Sequence, residues 1–327
     1  MRRREFITLL GGAAAWPLVA HAQQLGPPRR IAVLMPHAET DPEGQLRIHA
    51  LRTGLRKLGW IEGRTVDIAY RWGVGGAEPL RLAAAEIVAS APDVIVVFGT
   101  PGLAALKQAT QERPIVFAQV SDPVSNGFVA SAPRPGRNIT GFSDYEYSFA
   151  VKWVELLKEI APSVTRAAVV YGPGNLGAKF MAQLAARAPA FGIKARGEVV
   201  QSKNDVERAV AAIADDRSAG LVVLAGSETL RLRDHIIAEA ARARLPATYP
   251  YRAFTVSGGL VSYGADIPAM YQGAASYVDR ILRGAKPSEL PIQFASKFDF
   301  VVNLRTAKAM GLTVPTSVLL RADEVIE

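Results

Sequence analysis

From Arg30 onward, short apolar runs of strand length alternate with longer stretches of helical periodicity, and no other feature limits the fold as much. Ile31 to Met35, Asp93 to Phe98 and Ile115 to Ala118 are nearly continuous apolar runs, the signature of strands buried on both faces of a parallel sheet. Thr65 to Tyr70 alternates as a strand. Between these runs, Gln45 to Leu58 carries Leu46, Ala50, Leu51, Leu55 and Leu58 at near-helical spacing, and Gly59 closes it. Glu78 to Ala91 and Pro101 to Gln111 are also helical. After Gly141 the pattern restarts. Helices are predicted over Tyr147 to Ile160, Leu176 to Phe191, Asp205 to Ala214 and Glu228 to Arg244. Strands are predicted over Arg166 to Tyr171, Ala195 to Val200 and Gly220 to Leu224. Two successive series of this kind predict an α/β fold of two doubly wound (Rossmann-like) lobes, with helices on both faces of each sheet. The tail adds a strand at Gly259 to Tyr263, a helix at Pro268 to Arg283 and a strand at Phe298 to Asn303. A short helix and an extended end follow. Elements beyond two complete lobes imply a chain that crosses back between them.

The first 22 residues read as an export signal. Arg3-Arg4-Glu5-Phe6-Ile7 has the twin-arginine pattern, although arginine pairs also occur in the basic start of general export signals. Ile7 to Ala20 is uncharged and mostly apolar, too short for the ~20 residues of a membrane span, and Pro17 interrupts it. Ala20-His21-Ala22 gives the small-x-small cleavage site. The expected mature protein begins at Gln23, in the periplasm. Cleavage takes away three Arg and one Glu, lowering the formal net charge from +8 to +6. The remaining basic residues are scattered, which fits a solvated surface or a weak attraction for anions, and no basic-aromatic stripe suggests nucleic acid. With no cysteine there is no disulfide, thiolate metal site, cysteine nucleophile or lipid-anchor cysteine.

Ligands of open parallel sheets bind beyond the carboxyl ends of the strands. Those positions hold Pro36-His37, Gly99-Thr100-Pro101-Gly102, Ser121-Asp122-Pro123, Tyr171-Gly172-Pro173 and Ala225-Gly226-Ser227-Glu228-Thr229. Gly99-Thr100-Pro101 fits a helix start with an N-cap hydroxyl, whose free N–H groups suit a carboxylate; plain capping fits equally well. Ser227 with Thr229 carries the same ambiguity. Tyr145, Tyr147, Tyr171, Tyr249, Tyr251 and Tyr263 lie at strand ends or connecting segments, where they serve either a flat ligand or packing between lobes. Arg252 either pairs with a ligand carboxylate or is solvated.

No catalytic constellation stands out. His21, His37, His49 and His235 have no metal-ligand spacing, and neither a nucleophile elbow, a phosphate-binding loop nor a zinc-protease motif occurs. The turn after the first strand lacks a dinucleotide fingerprint. A two-lobed exported protein with no reactive group and no cofactor reads as a binder rather than an enzyme.

The segments Val96 to Ala105, Phe117 to Val124, Asn138 to Asp144, Gly258 to Asp266 and Asn303 to Leu312 run through the mature chain in order. On them the chain resembles the periplasmic solute-binding proteins of ABC importers, in the type I fold, and within these the group that includes tryptophan- and tyrosine-type binders. The resemblance implies three crossovers between a first lobe of 29–142 plus 263–290 and a second of 143–262 plus 291–327. It also implies a hinged cleft lined by Thr100, Ser121, Asp122, Ser143, Asp144, Ser227 and Tyr263. His37, Pro101, Tyr171 and Tyr251 complete the candidate ligand-binding residues. The implied partners are a small molecule and the permease subunits of the inner membrane, with the binding protein itself a monomer.

Two departures bear on the ligand. Aromatic-amino-acid binders of this group tend to carry a His-Pro-x-x-Asp loop, where this chain has Pro36-His37-Ala38-Glu39-Thr40. They also tend to have Thr-Asp-Asn-Thr where Gly226-Ser227-Glu228-Thr229 stands here. If that Asp holds an ammonium, Ser227 implies an aromatic or small carboxylate ligand lacking the amine. An exported α/β enzyme and a sensor serving a receptor kinase are the alternative readings.

Overall fold

The computed structural model describes residues 27–74, 76–173 and 175–327. The export-signal reading of residues 1–22 lies outside them. Five strands open the fold: β1 (Arg29–Met35), β2 (Val66–Trp72), β3 (Val94–Phe98), β4 (Ile115–Ala118) and β5 (Ile139–Ser143). The chain then crosses to β6 (Arg166–Tyr171), β7 (Lys194–Val199), β8 (Ala219–Val223), β9 (Ala247–Tyr249) and β10 (Val261–Ala265). It returns through the helix Ile267–Leu282 and the short β11 (Gln293–Phe294). A last crossing leads to β12 (Phe298–Asn303) and β13 (Glu324–Ile326).

The first sheet is parallel throughout, in the order β11-β5-β4-β3-β1-β2. The second runs β13-β12-β10-β9-β8-β6-β7, with only the β10–β12 pair antiparallel. These are two α/β lobes, as the alternation of periods predicts. The apolar runs become strands because every residue of β3, β4 and β8 is buried between helix layers. The helix Ala150–Ile160 inserts Trp153, Val154, Leu157 and Ile160 at three- and four-residue spacing into the second core. Each such side chain contributes roughly 1.5–3 kcal/mol on burial.

The crossings differ by a few residues from those implied by resemblance. Ser143 ends β5 in the first sheet, and Tyr263 lies within β10, hydrogen-bonded into the second sheet opposite Phe300. Gln293 and Phe294 pair with Phe142 and Ser143, so residues 291–294 belong to the first lobe. The chain therefore passes between lobes at Asp144, at Asp266 and across 295–297. These passages are tied together. Ala295 N donates to Ser143 O at 2.9 Å and Asp266 N to Lys297 O at 3.0 Å. The Tyr145 hydroxyl donates to Pro250 O at 2.5 Å and accepts from Ala265 N at 3.0 Å. Gly264 is needed there, because a Cβ would overlap the Pro250 carbonyl and the Tyr145 hydroxyl.

Other departures have local causes. The predicted helix over Leu176 to Phe191 ends at Arg187 and tightens into a 3₁₀ turn, Ala188–Phe191, where Pro189 removes a donor. The helix over Glu228 to Arg244 is two, Ser227–Arg231 and Arg233–Arg242, broken at Leu232. β5, β9 and β11 are too short or too polar to register as strands from periodicity.

Candidate ligand-binding cleft

The carboxyl ends of β1, β3 and β4 face those of β6 and β8 across a cavity of about 270 Å³. The first lobe contributes Pro36, His37, Gly99 to Pro101, Gln119, Ser121 and Asn126. The second contributes Gly172, Pro173, Ala225 to Glu228, Leu230 and Tyr251, and Asp144 lies at the crossing between them. The lobes also touch at the rim. Lys179 Nζ donates to Ser125 O at 2.8 Å, and Arg233 Nη1 lies 3.7 Å from Glu43 Oε1.

Of the eleven candidate residues, seven line this cavity: His37, Thr100, Pro101, Ser121, Asp144, Ser227 and Tyr251. The other four lie elsewhere. Asp122 has a left-handed backbone, φ 42°, and its carboxylate accepts from Ser125 N, so it shapes the turn. Ser143 is buried at the end of β5, its carbonyl committed to Ala295. The Tyr171 ring packs behind the following loop, filling the space over Gly177 and Gly197. Tyr263 stacks on Phe149 and Phe298, at 5.5 and 5.7 Å between centroids, inside the second lobe. Period-two patterning places a tyrosine on a strand but does not say which neighbour its ring will meet.

The helix Gly99–Ala109 starts two residues earlier than its sequence suggests. Phe98 occupies the N-cap and no side chain caps the first turn, so Thr100 is not the cap. The N–H groups of that turn are left for the cavity, and Gly99, at φ 75°, makes the turn into it. Gly226 likewise precedes Ser227–Arg231 without a side-chain cap, while the Thr229 hydroxyl bonds Leu224 O. Arg252 is solvent-exposed and does not face the cavity: it forms a two-pronged ion pair with Glu324, at 2.7 and 3.0 Å.

Asp144 is a strongly perturbed group at the cavity wall. Ser121 Oγ donates to its Oδ1 at 2.7 Å, Tyr145 N to the same oxygen at 2.9 Å, and the Tyr251 hydroxyl to Oδ2 at 3.2 Å. Burial pushes its carboxyl up to about 6, and these three donors hold it from rising further. Burial, then the Asp144 charge, raises the Tyr251 hydroxyl far above its usual range. His37 moves the other way, to about 4, through burial and then the Arg47 guanidinium, so it is neutral at pH 7.

Three groups escaped the sequence reading. Gln119 lines the cavity from a left-handed residue, φ 58°, immediately after β4, where the strand-end rule would have found it. Asn126 also lines it and clamps Ser121 O and Asp122 O. Behind Gln119 sits Arg47, only 1% exposed, donating to Glu43 O, Glu43 Oε2 and Gln119 Oε1 at 2.7, 2.8 and 3.1 Å. A buried arginine on a mid-helix position gives no sequence signal.

Among the described residues, no cluster of three or more potential metal ligands occurs, and no helix is long and apolar enough to cross a membrane. A conserved domain protein of Vibrio cholerae O1 biovar eltor is 32% identical, with TM-score 0.84 over 91% of this chain and 99% of that one. An ABC domain from Streptococcus pneumonia, solved in complex with L-Trp, is 25% identical, with TM-score 0.83 over 91% and 100%. A tyrosine-binding protein of Clostridioides difficile strain R20291 is 22% identical over 285 residues, covering 86% of this chain and 80% of that protein. These likenesses agree with the two-lobed type I periplasmic binding fold. The family model for ABC transporter substrate binding proteins matches residues 33–326, and the chain belongs to that family of substrate-binding proteins.

Proposed function

We propose that this protein is the periplasmic solute-binding component of an ABC importer, exported by its N-terminal signal. It captures a small aromatic, carboxylate-bearing molecule and delivers it, chemically unchanged, to permease subunits of the inner membrane. The observation that carries this reading is a single cavity walled by two separate sheets whose only covalent links are three adjacent chain passages. A ligand touching both walls stabilises the closed arrangement by the contacts it makes better there than in an open one. At about 270 Å³ the cavity lies at the small end of ligand sites. Proline faces and Tyr251 suit a flat apolar body, and the uncapped turn at Gly99 and Thr100 suits a carboxylate. One chain supplies both walls, so the site is complete in a monomer.

Thermal-shift screening of amino acids against aromatic acids, with small-angle scattering to follow closure, tests the proposal. Thr100→Val and Asp144→Ala are expected to weaken binding without unfolding the protein. Wild-type affinity in both variants would remove the assigned cleft, and turnover of any candidate solute would remove the transport reading.

A further inference from the structure

The edges of the two sheets are not alike. β11 and β13 are strands of two and three residues, and on β7 Arg196 pairs with Glu198 of the same strand at 2.9 Å. β2, the other edge of the first sheet, has seven residues in unbroken register with β1 and no proline, lysine or bulge. Those are the devices by which natural edge strands avoid pairing with another chain. Two bonds fix which way its backbone faces: Arg29 N donates to Thr65 O at 3.1 Å, and Gly73 N to Met35 O at 2.8 Å. Parallel alternation then turns the N–H and C=O groups of Asp67, Ala69 and Arg71 toward β1, and those of Ile68, Tyr70 and Trp72 outward. Val66 is closed off by its own turn, with Gly63 N on its carbonyl at 2.9 Å. Tyr70 O accepts from Arg71 Nη1 at 3.0 Å and keeps a second lone pair.

The side chains of this strand complement each other in reverse. Asp67, Ala69 and Arg71 are exposed on the face of the helix Ala77–Ala89, where Arg71 Nε meets Glu86 at 3.0 Å. Asp67 pairs with no cation among the described residues. Four residues of strand span about 13 Å, too far for Asp67 and Arg71 to meet within one chain. A two-fold axis at Ala69 removes that distance. It lays a second β2 antiparallel to the first, with Asp67 opposite the partner's Arg71 and Arg71 opposite the partner's Asp67. In this register Ile68 and Tyr70 exchange backbone bonds with the partner's Tyr70 and the partner's Ile68, an aromatic and β-branched pairing. Leu82, one helical turn before Glu86 and 52% exposed, flanks the seam.

We infer that β2 is a self-association edge, through which two copies of this chain join antiparallel and merge their first sheets into one. The partner is a second copy because the strand is complementary to itself: one two-fold satisfies both charges. The seam is narrow, so the dimer is reversible and micromolar rather than obligate. No residue of β2 lines the cleft, so each copy keeps a complete cavity. What changes is the monomeric state that the family resemblance implies.

Sedimentation velocity of the purified protein over a concentration series tests this, together with single-cysteine variants of a chain that has no cysteine of its own. Ala69 is exposed and lies at the axis, in a closely spaced pair without backbone bonds. Ala69→Cys should therefore form a disulfide-linked dimer under mild oxidation, whereas Val256→Cys, exposed on the second lobe, should not. Asp67→Arg and Arg71→Asp each turn two attractions into two repulsions. Each should weaken self-association by about tenfold or more, at up to roughly fivefold for every exposed pair. Mixing the two variants makes both contacts opposite in charge again and should restore the dimer, which no loss of folding could do. Wild-type protein that stays monomeric up to its solubility limit overturns the inference. So does a dimer in which Ala69→Cys links no better than Val256→Cys, one that charge reversal leaves intact, or a mixture that stays monomeric, because each puts the contact elsewhere. Solute binding is read separately and stands or falls apart from all of these outcomes.

Discussion

Asp144→Asn should change how stability depends on pH, in a direction and size set by the geometry of its site. The carboxyl rises from the ordinary 3.8 to about 6 in the folded protein because it is buried, with only hydroxyl and backbone donors around it. Unfolded chain ionises near the ordinary value. Between those two values the folded protein holds a proton that the unfolded chain has lost, so stability falls as pH rises through this window. At about 1.4 kcal/mol per pH unit, the ionised group costs the folded state about 3 kcal/mol at pH 7. Asparagine does not titrate, so the variant's stability relative to wild type should climb by about 2–3 kcal/mol between pH 4 and 7.

The absolute offset is a separate matter. An Asn amide facing Tyr251 leaves that hydroxyl without an acceptor, at a pH-independent cost of about 1–3 kcal/mol. The slope, rather than the sign at one pH, is therefore the test. His37 moves oppositely, and the carboxylates of Asp205, Asp216 and Glu239 lie below their ordinary range, but all titrate alike in both proteins and cancel. Urea unfolding of ligand-free protein, followed by circular dichroism and tryptophan fluorescence, gives the two profiles. A difference that stays flat from pH 4 to 7, or shrinks, refutes a buried carboxylate without a cation.

Other perturbations follow from the same contacts. Gly264→Ala should cost roughly 3 kcal/mol or more, because the overlapped atoms include a backbone carbonyl that cannot move without shifting the crossing. A fall below ~1 kcal/mol in urea unfolding would show that the three passages are not held as tightly as their hydrogen bonds indicate. Arg233→Ala should lower the closed fraction by no more than about fivefold, since the pair with Glu43 is partly exposed and worth up to ~1 kcal/mol. Pulsed EPR distances between spin labels on the two lobes measure it, and an effect unchanged in high salt would count against an ion pair. Thr100→Val should weaken binding of any carboxylate ligand while leaving the melting temperature within a degree or two of wild type, and a large loss of stability would mean that its hydroxyl holds structure instead.

Much of this molecule can be read from its residues in order. Strand runs such as Ile31 to Met35 and Ile115 to Ala118, and the helices between them, follow from local periodicity, and their alternation dictates two mostly parallel sheets. The strand-end rule then reaches most of the cavity wall, including Thr100, Ser121 and Ser227. Pairing between distant segments is another matter, because it depends on which surfaces remain free once both sheets form. Tyr263 reads as a strand residue in any setting, yet only the antiparallel pairing with Phe300 assigns it to the second lobe. The extra strands β5, β9 and β11 exist because partners lie beside them. Above all, Asp144 gains its unusual proton affinity, and Arg47 its burial, from side chains many residues away. Charge in a low-dielectric interior is set by its neighbours, and neighbours across lobes are decided only in three dimensions.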